Sequence, residues 1–388
     1  MSRGSILAQP VVSVVRDHAA GHDENATFPV EALAAMRTHG LLGMLVPTEY
    51  GGLGEDLSTF LEVASELSAH CLSTGQIWAM HCFQVDAVIR YGSADLKATL
   101  LPRIAAGEVY IASVTSEGGR KADLLTAVTP LHVDGERVVV ERAAPVVTGG
   151  RWADGFLITM RASADAPESE VSLVYADRAD LHVEPTSQWN SLGVRATESV
   201  GMLLKGAVPS HNVIGGPARF PEIARESMVP MSHLGWSACW LGTARGALRE
   251  LIRWSGKSRD SRHGGSAHSD LFYERIGRVR VALELVSSYL GRARDEVERA
   301  RMSQQPLSSP RHRLQLNTLK VVASDLTFRA IDDMLQLAGL RTGYLKDSEI
   351  PLERHFRDLR SAALNHANDG LLVGIGALTM MDRGVSLI

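Results

Sequence analysis

The sequence predicts an α+β protein, mainly α, built from three consecutive parts. Apolar residues recur at helical spacing over the first 110 residues. From about Val109 the pattern changes to short β-branched runs separated by Asp-Gly, Gly-Gly and Asp/Ala-rich turns. After Ile214 it returns to four long amphipathic segments with short connections, the signature of a bundle. The expected parts are an N-terminal α-helical domain (1–112), a middle antiparallel β domain (113–218) and a C-terminal four-helix bundle (219–388).

Taken in order, Val30–His39 follows Pro29 with apolar residues at helical spacing, and Gly40 is placed to stop it. Residues 46–54 form a turn-rich loop. Asp56 or Ser58 then caps a helix running to about His70, followed by an apolar helix over about Thr74–Tyr91 and a short one ending before Gly107. Strands are expected at Tyr110–Val114, Ala127–Val133, Arg137–Val140, Gly155–Met160 and Val171–Tyr175. The bundle helices are Ala224–Trp254, Asp270–Met302, Arg311–Leu340 and Pro351–Met381. Gly, Ser and Pro mark the breaks at 262–266, 305–310 and 341–343.

Composition narrows the function. A chain of 388 residues that is 45% hydrophobic can bury a large core. Its net charge of −4 gives no electrostatic case for nucleic acid or anionic lipid. Cys71, Cys82 and Cys239 are widely spaced in apolar contexts, which predicts buried free thiols rather than a disulfide framework or zinc site. No leader-like segment and no run of 18 apolar residues is present, so a soluble, cytoplasmic protein without a membrane partner is expected. The twelve histidines other than His81 and His366 offer no metal-ligand spacing, and no metal is expected.

Five segments in order carry a family resemblance. They are Phe28-Pro29 with the loop from Val46-Pro47 to Gly51-Gly52, Leu101–Glu108, Leu192–Ser199 with Val208-Pro209, Trp240–Leu248, and Gln336–Gly339 leading to Arg357-Asp358. Together they resemble the acyl-CoA dehydrogenase family over nearly the whole chain. The resemblance implies that family's three-part fold and a flavin. In the family a strand ending in Thr-Glu and a later Trp-x-Thr contact the isoalloxazine ring. Here these become Ser113–Glu117 and Val146-Val147-Thr148. Ser116 and Thr148 are the expected flavin contacts, with Val147 beside them and a Val where an aromatic often covers the ring; as residues alone, both hydroxyls read equally well as ordinary strand positions. Gln336 and Gly339 match residues that reach the diphosphate from a neighbouring subunit, which implies FAD and a homotetramer built as a dimer of dimers. The usual Arg and Phe-Gly pair of the second bundle helix has no clear equivalent in 266–275.

Counted from Arg357-Asp358, the family's catalytic glutamate falls at His366, and its alternative position on the first bundle helix falls at Ser232. The thioester-holding Asp/Arg pair is replaced by Pro230 and His233. The loss of both carboxylates resembles the family's flavin monooxygenase branch, where reduced flavin meets O2 at C4a and His and Ser replace Glu. Arg357-Asp358-Leu359-Arg360 followed by His366 looks like that branch's pattern. A neutral imidazole can donate or take a proton near pH 7. Candidate catalytic residues are therefore His366, Ser113, His81 and Asp369, against the reading of His81 as a core histidine and of Asp369 as a solvated carboxylate. The expected activity is a flavin-dependent oxygenase on a small aromatic, amine or acyl-thioester substrate. FMN delivered by a reductase is an alternative to bound FAD. The alternative enzyme is an acyl-CoA or acyl-carrier-protein dehydrogenase with a non-standard base, and the non-enzymatic alternative is a silent subunit paired with an active homologue.

Overall fold

The computed structural model describes residues 1–117, 124–260 and 269–387. Five helices open the chain: α1 (Arg3–Asn25), α2 (Val30–Thr38), α3 (Leu57–Ser68), α4 (Leu72–Tyr91) and α5 (Ala94–Ala105). Side-chain caps set their starts. The Asp56 carboxylate accepts the Thr59 N–H at 2.8 Å at the head of α3, and Ser93 accepts the Leu96 N–H at 3.1 Å at the head of α5. The opening helix α1 goes beyond the sequence expectation. Helix α4 runs through the interior with nearly every residue from Leu72 to Val88 buried.

Eight strands follow: β1 (Ile111–Val114), β2 (His132–Asp134), β3 (Arg137–Val147), β4 (Gly155–Arg161), β5 (Val171–Asp177), β6 (Leu181–Pro185), β7 (Val200–Pro209) and β8 (Val213–Ile214). They form two four-stranded sheets, ordered β1-β4-β5-β8 and β2-β3-β7-β6. The expected all-antiparallel module is corrected at one pair: β1 lies parallel to β4, with Ile111 opposite Gly155. The chain leaves β1, builds β2 and β3 in the other sheet, and returns to β4 in the same direction. A crossover of that kind joins parallel strands, whereas a tight turn joins antiparallel ones.

The helical remainder comprises α6 (Phe220–Ile223), a π-helical turn over 224–228, α7 (Val229–Asp260), α8 (Asp270–Met302), α9 (Pro310–Gly339), α10 (Leu352–Arg360) and α11 (Asn368–Met381). Ser269 and Ser309 cap α8 and α9 through the N–H groups of Phe272 and His312. Helix α7 packs on α3 without intervening side chains; a Cβ at Gly242 would stand 2.2 Å from the Ser65 carbonyl oxygen. The expected fourth long helix, Pro351–Met381, is corrected to α10 and α11 with a non-helical break over 361–367. The expected turn at 262–266 lies outside the described residues. All three cysteines are free and buried, and among the described residues no helix is long and apolar enough to cross a membrane.

Candidate active-site cleft

A cleft of about 340 Å³ opens where α4, the end of β3, the loop 189–199, α7 and the α10–α11 break meet. Gln76 and Met80 of α4, Val146 and Thr148 after β3, Trp189 and Leu192 of the loop, Trp236 of α7, and Leu364 and Asn365 of the break line it. No carboxylate is among its lining residues. Two buried donors of this lining, Gln76 Nε2 and Trp236 Nε1, have no hydrogen-bond partner among the described residues. A buried donor left unpaired costs about 1–3 kcal/mol, so such groups mark a place where a ligand acceptor is expected.

The Arg357-Asp358 pair builds the lip of this cleft. The Arg357 guanidinium donates to both oxygens of Asp23 at 3.1 and 2.6 Å, to Glu353 at 2.8 Å, and to the Leu192 carbonyl at 3.1 Å. The buried Asp358 carboxylate accepts the Val194 N–H at 2.6 Å. Burial, with Asp23 nearby, pushes the Asp358 carboxyl up to about 6, while the Val194 bond and Arg354 and Arg357 hold it down. Between these anchors, a Cβ at Gly193 would stand 2.0 Å from the Arg357 carbonyl oxygen, so only glycine lets the loop lie against α10.

A chain of hydroxyls runs beneath the loop, and its donor direction is determined. Thr197 Oγ1 donates to the Val194 carbonyl at 2.8 Å. Its one proton is then spent, so Ser199 donates to Thr197 across 2.8 Å and Thr148 donates to Ser199 across 2.9 Å. Thr148 therefore presents the cleft with a hydroxyl oxygen that can only accept.

Behind the break lies a compact polar group. Lys320, on α9, is fully buried and donates to the carbonyls of Ala362 (3.0 Å) and His366 (2.8 Å) and to Asn368 Oδ1 (2.7 Å). His366 is exposed, adopts the left-handed backbone region (φ +56°), and sets its ring edge-on to that of His233 at 5.5 Å. The fully buried His233 faces the Leu316 carbonyl through Nδ1 at 3.2 Å. Burial, followed by His366 and Lys320, pushes its pKa down to about 3, so this ring is neutral.

Two family models match the sequence, the acyl-CoA dehydrogenase N-terminal domain over residues 8–108 and its C-terminal domain over 234–369, together more than half of the chain. The chain belongs to the acyl-CoA dehydrogenase family. A probable acyl-CoA dehydrogenase, FadE25 of Mycobacterium tuberculosis, is 26% identical over 359 residues, covering 89% of this chain and 86% of its own. A dibenzothiophene monooxygenase of Rhodococcus qingshengii is 28% identical over 270 residues, 65% of this chain and 61% of its own. Among solved structures, FMN-bound TdsC from Paenibacillus sp. A11-2 superimposes with a TM-score of 0.87 at 19% identity, covering 98% of both chains.

Against this acyl-CoA dehydrogenase scaffold, the expected site residues separate. Thr148 lines the cleft; His366 does not, although it directly follows the lining residue Asn365, and its ring packs against His233 behind the break. Ser116 lies outside the lining, with its hydroxyl donating to the carbonyl of the lining residue Val146 at 3.0 Å. Val147 is corrected: its side chain is buried, and Val146, 43% exposed, faces the cleft instead. The register of β3 against β7 shifts between Ala144 and Val147, and such a bulge reverses which side chains point outward. His81 is corrected from catalytic partner to interior tie. Its Nε2 donates to the Leu42 carbonyl at 3.0 Å and its Nδ1 accepts the Ile111 N–H at 3.1 Å, joining α4 to β1, while burial pushes its pKa down to about 4. Ser113 is half-buried on β1 opposite Leu157. Asp369 is exposed in the first turn of α11. Gln336 and Gly339 close α9, Gln336 bonding Asp332 at 3.0 Å. Ser232 turns back onto the Val229 carbonyl at 2.9 Å. Gln76, Trp236, Ser199 and Lys320 escaped the sequence reading. Lys320 alone left a signal, a lone cation within the apolar stripe Leu316, Leu319, Ala323 and Ala330.

Proposed function

We propose that this chain is a flavin-dependent oxidoreductase whose cleft takes an isoalloxazine ring and a small, largely apolar substrate, and that it acts as an oxygenase using O2. The observation that carries the choice is the absence of Asp and Glu from the cleft lining. Removing a proton next to a thioester carbonyl calls for a positioned base, and the two places where this family keeps one hold His366 and Ser232. The residues present fit a flavin: Gln76 Nε2 and Trp236 Nε1 are unspent donors for ring oxygens and nitrogens, and Thr148 Oγ1 is an unspent acceptor. A bound flavin supplies the two-electron chemistry that no side chain of the cleft has.

The chain's own groups then have defined work. Trp189, Trp236, Met80 and Leu192 exclude water and pack against a flat apolar molecule. His366, which directly follows the lining residue Asn365, is the residue we assign to give or take a proton; its ring packs against His233 behind the break, so the role requires the side chain to turn toward the cleft. The resemblance to the Rhodococcus monooxygenase and the fold likeness to TdsC, itself a dibenzothiophene monooxygenase, support this reading. A second reading, an acyl-CoA dehydrogenase with His366 as base, is supported by the FadE25 relative.

The reading extends to assembly as a homotetramer. Helix α11 leaves Leu372, Val373, Met380 and Met381 at least half exposed, an apolar surface suited to another copy of the chain. Gln336 and Gly339 stand ready to complete a neighbour's FAD. A monodisperse monomer carrying stoichiometric FAD would remove this part. The activity test supplies the purified protein with reduced flavin, from a reductase or chemically, and measures substrate-dependent oxygen uptake. An indole-like or thiophene-like aromatic is expected to stimulate it. Anaerobic bleaching of bound flavin by an acyl-CoA would establish the dehydrogenase instead.

A further inference from the structure

Away from the cleft, the fold brings together two histidines and a glutamate that the sequence spacing did not single out. His18 and His22 stand one turn apart on α1 and so share a face. Glu31, in the first turn of α2, meets both: His22 Nε2 lies 2.8 Å from Glu31 Oε2, and His18 Nδ1 lies 3.8 Å from Glu31 Oε1. One ligand atom from each residue lies within 4.8 Å of the other two, and no other such trio occurs among the described residues. A further contact orients His22. Its Nδ1 is 2.9 Å from Thr27 Oγ1, a hydroxyl that can accept an Nδ1 proton once Nε2, which reaches Glu31 Oε2 at 2.8 Å through its own N–H, exchanges that proton for a metal ion. Ala26, in the left-handed region at φ +51°, turns the chain so that the Thr27 N–H bonds the His22 carbonyl at 3.1 Å and its hydroxyl meets the ring. Metal-binding histidines characteristically carry such a second hydrogen bond.

We propose that His18, His22 and Glu31 bind one zinc-class divalent ion, with the remaining coordination open to water. Two imidazoles and one carboxylate suit Zn²⁺ and its borderline neighbours, and three protein ligands leave a coordination position free. Magnesium and calcium, which take oxygen ligands, do not match this donor set. The ion would join α1 to α2 beside the cleft clamp. The residue after His22 is Asp23, whose carboxylate receives Arg357 and whose carbonyl receives Arg195 Nε at 2.7 Å. The site thereby ties an external ion to the corner of the molecule that holds the cleft lip in place.

The test uses the full-length, untagged protein with its bound cofactor, stripped with chelator and titrated with ZnCl2 and CoCl2. One equivalent is expected to bind in the micromolar range, to raise the melting temperature, and to give Co²⁺ ligand-field absorption. The double variant His18→Ala/His22→Ala should lose all three effects while keeping its circular dichroism and flavin content. Thr27→Val should weaken binding by about 10- to 100-fold through the lost orienting contact, and MgCl2 should leave the melting temperature unchanged. Absence of stoichiometric Zn²⁺ binding, or its survival in the double variant, overturns the proposal. Because the site lies outside the cleft, neither result bears on the oxygenase reading.

Discussion

The Lys320 ammonium sits 2.8 Å from the carbonyl oxygen of His366, 46 positions further along the chain. Together with its bonds to Ala362 and Asn368, this contact lets a side chain of α9 satisfy the oxygens left bare where α10 stops and α11 begins. The break that carries Asn365 into the cleft lining is thus bonded by a buried cation from another helix.

Replacing that cation should be costly. Lys320→Met keeps the apolar stem and removes three donors, leaving buried acceptors without partners. A loss of roughly 2–4 kcal/mol is expected, read as a lowered urea midpoint. If the break depends on Lys320, flavin affinity should fall as well. A variant with unchanged stability would show that the break is held by something else.

The proton-transfer role of His366 is checked by His366→Asn, a residue that tolerates the left-handed backbone found there. Turnover is expected to fall by roughly 10² to 10⁴ with flavin content preserved. His366→Glu separates the two enzyme readings. A latent dehydrogenase gains flavin reduction by acyl-CoA, whereas an oxygenase loses product without that gain. Unchanged turnover in His366→Asn would remove the imidazole from the reaction.

Ser116→Val combined with Thr148→Val should weaken flavin binding by about 0.5–1.5 kcal/mol for each lost hydrogen bond, with Thr148 carrying more of it. The Ser116 hydroxyl is occupied by the Val146 carbonyl, whereas Thr148 keeps free lone pairs on the cleft. Equal single-variant effects in fluorescence titrations with flavin would contradict that ordering.

Acid should destabilise the protein between about pH 6.5 and 4. His81 and His233 are held at about 4 and about 3, and burial pushes His355 well below its ordinary value. In the unfolded chain each titrates near 6.5. The unfolded state therefore binds more protons in this window, and stability is lost as pH falls through it. Asp358, raised to about 6, works in the opposite direction by taking its proton more readily when folded. Among these four groups the three histidines outweigh the one carboxylate, so their net effect is a loss of stability as pH falls. His355→Phe should flatten that dependence by about 1.4 kcal/mol per pH unit; among the described residues neither of its ring nitrogens has a hydrogen-bond partner, so the change leaves no group stranded. Urea midpoints at pH 6.5 and 5.0 measure both slopes.

What the sequence discloses depends on whether the cause is local. Helix α8 begins and ends where its pattern says, because Ser269 caps it and its apolar stripe runs unbroken to Met302. The α10–α11 break escaped because Ser361–Ala367 contains neither Gly nor Pro, and the cation that bonds its carbonyls comes from α9, 42 positions away. The pairing of β1 with β4 likewise depends on which strands intervene rather than on the residues of either. The exchange of Val147 for Val146 came from a bulge, which alternation cannot report. At the site, Thr148 and the Arg357-Asp358 anchor were legible because family motifs surround them. Gln76 and Trp236 look like any other residues of buried helices until the cleft is formed.

The fixed order of donation from Thr148 to Ser199 to Thr197 to the Val194 carbonyl would have an electrochemical consequence where, as we propose, Thr148 meets the flavin edge that gains an N–H on reduction. A hydroxyl oxygen that can only receive holds most firmly whichever partner carries an N–H. Of the two closed-shell states of an isoalloxazine, the reduced one has the additional N–H. Tenfold tighter retention of that state lifts a two-electron midpoint by about 30 mV. A single loop carbonyl, by deciding which way three protons point, would therefore make the cleft a slightly stronger pull on electrons.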